Sequence, residues 1–128
     1  MDSVSFEVYH RRDAAAEVRL GGELDLCTAP EVASQLRHLL HTSPVETVVV
    51  DLAGLSYCDC AGLNVFANAQ RDAEPLGKRI VLVRPRPILQ RVFDLVQFGQ
   101  VVTVADDSSS RFEYPEESAR PDATEGDR

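Results

Sequence analysis

Apolar and polar residues alternate along VSFEVYH, where polar neighbours separate Val4, Phe6 and Val8. A period of two marks a half-buried strand. After the polar turn RRDAAA, the run EVRL resumes the pattern with Val18 and Leu20. Together the two runs predict an N-terminal hairpin. The glycine pair Gly21-Gly22 that follows predicts a bulge or a close backbone approach.

The period then changes. Val32, Leu36, Leu39 and Leu40 fall at helical spacing and form one apolar stripe. TAPE at 28–31 predicts how this helix starts: Thr28 accepts from the first free backbone N–H groups, Glu31 reaches back, and Pro30 sits where no N–H is missed. The helix is expected to end near Thr42, before Pro44. TVVVDL (47–52) is a continuous apolar, largely β-branched run of the kind that forms a central strand covered on both faces. CAGLNVFANAQRDA predicts a second helix with Leu63, Phe66, Ala67 and Ala69 inward. RIVLV (79–83) is another buried strand. PILQRVFDLV is a third helix, with Pro87 in its first turn and Gly99 just beyond its end, and VVTV (101–104) is a last short strand.

The order β-β-α-β-α-β-α-β defines an α/β fold. Strand–helix–strand units favour right-handed crossovers, giving a mainly parallel mixed sheet edged by the antiparallel N-terminal hairpin. Residues 1–105 are expected to form one domain. Residues 106–128 lack periodicity and read as an acidic disordered tail.

Charge sharpens this division. The chain has a net charge of −8, and the tail's eight acids and three arginines account for −5, leaving −3 for the body. That balance excludes a general nucleic-acid binder, which needs clustered Lys and Arg. No apolar run approaches the ~20 residues of a membrane span. The N-terminus MDSVSFEVYH lacks a basic region followed by a signal-like core, so the chain reads as cytoplasmic. Three cysteines, Cys27, Cys58 and Cys60, make no disulfide framework and are expected as thiols.

Candidate chemistry concentrates in DLAGLSYCDCAG, residues 51–62. Asp59 is a candidate N-cap, which places residue 60 in the first helical turn, where free N–H groups and the dipole favour negative charge. A hydroxyl there would hold a phosphate well, and a thiol there would have its thiolate favoured. Gly62 is expected to keep the surface low for a partner's backbone. Three readings of Cys60 stand side by side: a small residue filling a place that suits Ser or Ala, a redox-sensing thiol, and a zinc ligand. Zinc finds little support, because His10, His38 and His41 are scattered, and a disulfide from Cys60 would form more easily with Cys27 than with Cys58. No phosphate loop or HExxH motif is present. Asp51 reads as a residue orienting the loop after its strand, Asp25 as exposed enough to touch a partner, and Arg84-Pro85-Arg86 as a solvated face. Nothing points to an enzyme or to a cofactor.

GELDLCTAPEV (22–32), VVVDLAGLSYCDCAGLNVF (48–66) and GKRIVLVRPRPILQRVFDLVQF (77–98) resemble the STAS domain family, and within it the bacterial anti-sigma factor antagonists. The likeness covers about residues 4–105, and GELD and the Asp59-Cys60-Ala61-Gly62-Leu63 segment are its specific parts. The resemblance implies the same α/β fold. It also implies a partner, an anti-sigma factor with a histidine-kinase-like ATPase fold, whose capture frees a sigma factor. In such proteins a Ser or Thr at the start of the second helix is phosphorylated to block docking, and Cys60 takes that position here. Cysteine is not a Ser/Thr-kinase acceptor, Ala61 supplies no substitute hydroxyl, and Ser56 and Tyr57 precede the helix. The implied docking surface comprises Asp25, Ser56, Asp59, Cys60, Ala61, Gly62, Asn64 and Asn68, with no metal. The expected protein is an antagonist not switched by phosphorylation at residue 60. The alternatives are a thiol-regulated interaction module, or a scaffold subunit of a transport or signalling complex.

Overall fold

The computed structural model describes residues 3–12, 14–42 and 45–105, with only the backbone for 9–12. The expectation of a disordered tail therefore lies outside the described residues. Strands β1 (Val4–Arg12) and β2 (Ala15–Leu24) form the expected hairpin. Helix α1 (Ala29–Leu40), strand β3 (Thr47–Cys58), helix α2 (Cys60–Ala73), strand β4 (Arg79–Val83), helix α3 (Pro87–Leu95) and strand β5 (Thr103–Ala105) follow in the order read from the sequence. Short 3-10 turns at Glu74–Leu76 and Phe98–Gln100 complete the path.

The five strands lie side by side in chain order, β1 antiparallel to β2 and the others parallel. Every parallel connection therefore steps in the same direction across the sheet. With right-handed crossovers, that order sends all three helices to one face. The core agrees. Val18, Leu20, Val48, Val50, Leu52, Ile80 and Leu82 pack in one cluster with Val32 and Leu36 of α1, Val65 and Phe66 of α2, and Leu89 and Phe93 of α3. Phe93 also stacks on Phe98, with ring centroids 5.2 Å apart. Alternate residues Val49, Val81, Val83 and Ala105 form a smaller cluster on the opposite face.

Several local expectations need correction. The third strand runs on to Cys58 instead of ending at Leu52, because β2 continues beside it. Arg19 pairs with Asp51 but Gly21 with Gly54, and Gly22 pairs with Leu55 but Glu23 with Tyr57, so β3 carries an extra residue twice. Such bulges scramble the period that marks a strand. The glycine pair does mark this irregularity and a close approach: Gly22 has φ +90, and a Cβ on it would lie 2.4 Å from the carbonyl oxygen of Ser3.

Thr28 makes no cap to α1; its hydroxyl is engaged elsewhere, and the expected exchange with Glu31 does not form. Helix α3 ends at Leu95, with left-handed Gln97 at φ 56 following it, so Gly99 falls in the 3-10 turn. The last strand is displaced to 103–105. Asp51 lies within β3, where its carboxylate accepts from the Ala53 N–H at 2.9 Å and from Arg84 Nη2 at 2.9 Å. Arg86 donates to the Ala53 carbonyl at 2.8 Å. The basic stretch is thus a strap tying the β4–α3 loop to β3, more than a solvated face. In α2, Val65 is buried although the helical pattern did not single it out, while Leu63 and Ala67 are only partly covered.

Candidate functional site

Parallel strands end together, and the ends of β2 and β3 build this site. Leu24 pairs with Cys58, and the Asp59 N–H donates to the Leu24 carbonyl at 3.2 Å. The turn after β2 and the start of α2 are therefore neighbours by construction.

The turn after Leu24 is locked from within. One carboxylate oxygen of Asp25, Oδ1, accepts from the N–H groups of Cys27 at 2.9 Å and Thr28 at 3.1 Å. In return Thr28 Oγ1 accepts from the Asp25 N–H at 2.9 Å and donates to the Glu23 carbonyl at 2.8 Å. Asp25 is consequently buried, at 8% exposure, which corrects its reading as an exposed contact. It shapes the turn. Leu26, 76% exposed, and Cys27 are what the turn presents to solvent.

Asp59 caps α2 as expected. Its backbone is extended, and Oδ1 accepts from the Gly62 N–H at 3.2 Å. Cys60 is the first residue of the helix and its thiol is exposed. Cys58 is half-buried behind it, with Sγ 3.7 Å from the Asp59 carbonyl oxygen. Burial first, then the Asp59 carboxylate and the Cys60 sulfur, push the Cys58 thiol up to about 12. Cys58 is a neutral filler at physiological pH, and any thiol chemistry here belongs to Cys60 or Cys27.

Gly62 is buried, so it offers no low surface to a partner; it makes room inside, against Cys58 and Leu24. Ala61 is half-buried on the same side. Asn64 and Asn68 lie one turn apart on the exposed side of α2, and Asn68 Oδ1 accepts from Arg71 at 3.0 Å. Ser56 is exposed, with its hydroxyl donating to the Gly22 carbonyl at 3.0 Å. The fold thus gathers the sequence-derived residues at one edge of the sheet and sorts them. Ser56, Cys60, Asn64 and Asn68 face outward, Asp59 and Ala61 are half-covered, and Asp25 and Gly62 are internal supports.

Two members were missed. Leu26 and Tyr57, the latter 53% exposed, give this edge its apolar character. Only Leu26 was legible, as a large apolar residue in the turn before α1; the bulges in β3 hid the direction of Tyr57. Leu26 follows two inward residues, and Tyr57 follows the second bulge.

Among the described residues no cluster of three His, Cys, Asp or Glu could hold a metal ion. The zinc reading of Cys60 gains nothing. His38 and His41 lie at the far end of α1, roughly 15 Å along its axis from the end beside Asp25. A Cys–His nucleophile is not assembled from these residues. No helix among them is long and apolar enough to cross a membrane.

A mixed, mainly parallel sheet with its helices on one face, a locked turn after β2 and a capped helix start beside it define this α/β domain. Residues 8–103 match the family model described as "Mlab, STAS domain", and the chain belongs to the STAS domain family. It is 32% identical over 88 residues to an anti-sigma-B factor antagonist of Staphylococcus epidermidis, covering 69% of this chain and 81% of that protein. It is 28% identical over 82 residues to an anti-sigma F factor antagonist of Lysinibacillus sphaericus, covering 64% and 70%. The fold is shared with the anti-sigma factor antagonist SpoIIAA in its unphosphorylated form, at a TM-score of 0.68 and 21% identity over 84% of this chain and 93% of that one.

Proposed function

We propose that this chain is an anti-sigma factor antagonist that docks through the edge formed by Leu26, Ser56, Tyr57, Cys60 and the Asn64–Asn68 side of α2. Its partner is an anti-sigma factor with a histidine-kinase-like ATPase fold, and docking releases a sigma factor. The reading is of a cytoplasmic binding protein, not of an enzyme. The observation that carries it is the exposed Cys60 on the first turn of α2, directly after the Asp59 cap. In a STAS chain whose relatives are named as antagonists, that helix start is the seat of a phosphoacceptor. A phosphate adds about −1.5 to −2 charges to a fitted surface. Cys60 accepts none from a Ser/Thr kinase, so the chain stays in the docking form.

The test is calorimetry with the cognate anti-sigma factor, before and after incubation of this chain with that kinase and ATP, and intact-mass measurement of the same samples. Binding that persists with no gain of phosphate is expected. Absence of binding to any cognate anti-sigma factor overturns the reading, and co-purification with transport components instead would favour a scaffold role.

A second reading rests on the pair of exposed thiols, Cys27 and Cys60, on adjacent segments of this edge. With hydrogen peroxide as oxidant, the Cys60 thiolate attacks one peroxide oxygen, the O–O bond breaks, and sulfenic acid and hydroxide result, the hydroxide taking a proton from solvent to become water. The added oxygen would alter the docking surface. A +16 Da adduct at Cys60 accompanied by loss of binding is its signature. Unchanged mass and binding in dilute peroxide exclude it.

A further inference from the structure

β1 is the terminal strand of the sheet, next to β2 alone. One bond fixes which way its backbone groups point. The Glu23 N–H donates to the Ser3 carbonyl at 2.8 Å, and the same register pairs Val4 with Gly22, Phe6 with Leu20 and Val8 with Val18. Bonding alternates along an antiparallel ladder, so Ser5 and Glu7 turn their N–H and C=O groups to β2. Val4, Phe6 and Val8 turn theirs outward, where nothing among the described residues bonds them. Natural edges are commonly guarded by Lys or Pro. Residues 4–8, VSFEV, carry neither. The opposite edge strand, β5, is only three residues long.

We propose that this edge pairs with the same edge of a second copy of the chain, antiparallel about a two-fold axis at Phe6, so that the two five-stranded sheets become continuous. The segment is complementary to itself in that register. Val4 of each copy stands opposite Val8 of the other, and Phe6 opposite Phe6, so every outward N–H meets an outward C=O. Ser5 stands opposite Glu7, where its hydroxyl donates to the carboxylate. Moving the axis to Glu7 sets the two carboxylates against each other, and moving it to Ser5 loses both Val4–Val8 pairs.

The side chains fit this pairing as well. A two-fold axis perpendicular to the sheet sets both helix layers on the same side, so apolar residues meet apolar ones there. Val4 and Phe6 are half-buried against the helix-side core, and Val8 is 38% exposed. Ser5 and Glu7 alternate to the other face, where both are exposed. The register shift between Val8 and His10 ends the regular run, so the ladder stops at both ends after the same residues. A second copy is the occupant because the match is of the segment with itself. None of Leu26, Ser56, Tyr57, Cys60, Asn64 and Asn68 lies on β1, so the inference does not rest on the antagonist reading.

The test is sedimentation equilibrium of the full chain, joined to NMR on a mixture of isotope-labelled and unlabelled copies. A species of twice the 14.1 kDa chain mass is expected at NMR concentration. An NOE between the α-protons of Ser5 in one copy and Glu7 in the other is its signature, because such non-hydrogen-bonded pairs approach most closely. Val8→Pro removes an N–H that β2 does not use, so the fold should survive while dimer dissociation rises at least about tenfold. Should that variant fail to fold, Ser5→Glu sets like charges opposite each other and should dissociate the dimer, more so at low salt. A wild-type monomer at NMR concentration, intermolecular NOEs confined to residues outside β1, or folded variants that dimerise as wild type does overturns the proposal.

Discussion

Cys58 Sγ lies 2.6 Å from where a β-carbon on Gly62 would stand, and the Leu24 carbonyl oxygen lies 2.9 Å from the same point. Glycine is fixed here by packing, because α2 must start hard against the ends of β2 and β3. Replacing glycine by alanine in a helix normally gains up to about 1 kcal/mol. Gly62→Ala should instead lose roughly 1–3 kcal/mol through overpacking. Removing the sulfur as well, with Cys58→Ala, should recover only part of the loss, since the Leu24 backbone remains in the way. Urea unfolding of the single and double variants checks both statements.

The same sulfur predicts a pH dependence. The Cys58 thiol is raised from 9.0 to about 12 in the folded protein, so the folded state holds its proton more tightly than the unfolded state. Its contribution to stability is complete below about pH 9 and is lost as pH rises towards 12. Cys58→Ala should flatten the fall in stability across that window relative to wild type. At pH 8 its thiolate is scarcer by roughly a thousandfold than that of a thiol at 9.0. Native iodoacetamide treatment should therefore modify Cys27 and Cys60, and Cys58 only after unfolding. Prompt labelling of Cys58 in the native state would contradict the packing described.

These relationships mark what a sequence displays and what it hides. The β-branched run at 47–52 and the Asp59 cap are local, each explained by residues within a few positions, and both were legible. Asp25 was misread because its burial depends on a reciprocal lock with Thr28 and Glu23, and Thr28 was misread as a cap for the same reason. Gly62 was misread because its neighbours are Leu24 and Cys58, brought together only by parallel pairing. Tyr57 was hidden by two bulges that shift the strand's period, so its outward direction could not be counted from Val48.

Gln97 offers a stability test away from the site. It is exposed and holds φ 56 and ψ 43 after α3, a left-handed conformation that favours glycine. Gln97→Gly should stabilise the protein by about 0.5–1 kcal/mol, opposite in sign to Gly62→Ala. Thermal melts of the two variants should move in opposite directions. A lower melting temperature for Gln97→Gly would mean that its side chain contributes packing which its exposure does not suggest.

The proposed docking edge can be probed without disturbing the fold, because Leu26 and Tyr57 expose 76% and 53% of their surface. Their burial in the folded chain is small, so Leu26→Asp and Tyr57→Asp should change stability by less than about 0.5 kcal/mol. If this edge is the interface, each places an uncompensated charge in it. Affinity for the anti-sigma factor should then fall by at least about tenfold. Asn68→Asp on the flank of α2 should weaken binding less. Cys60→Ser should bind as wild type does until kinase and ATP are added, and then lose binding as the new hydroxyl gains phosphate. Loss of binding by Cys60→Ser before phosphorylation would instead assign the thiol itself to the interface, and persistence after proven phosphorylation would move the docking surface elsewhere.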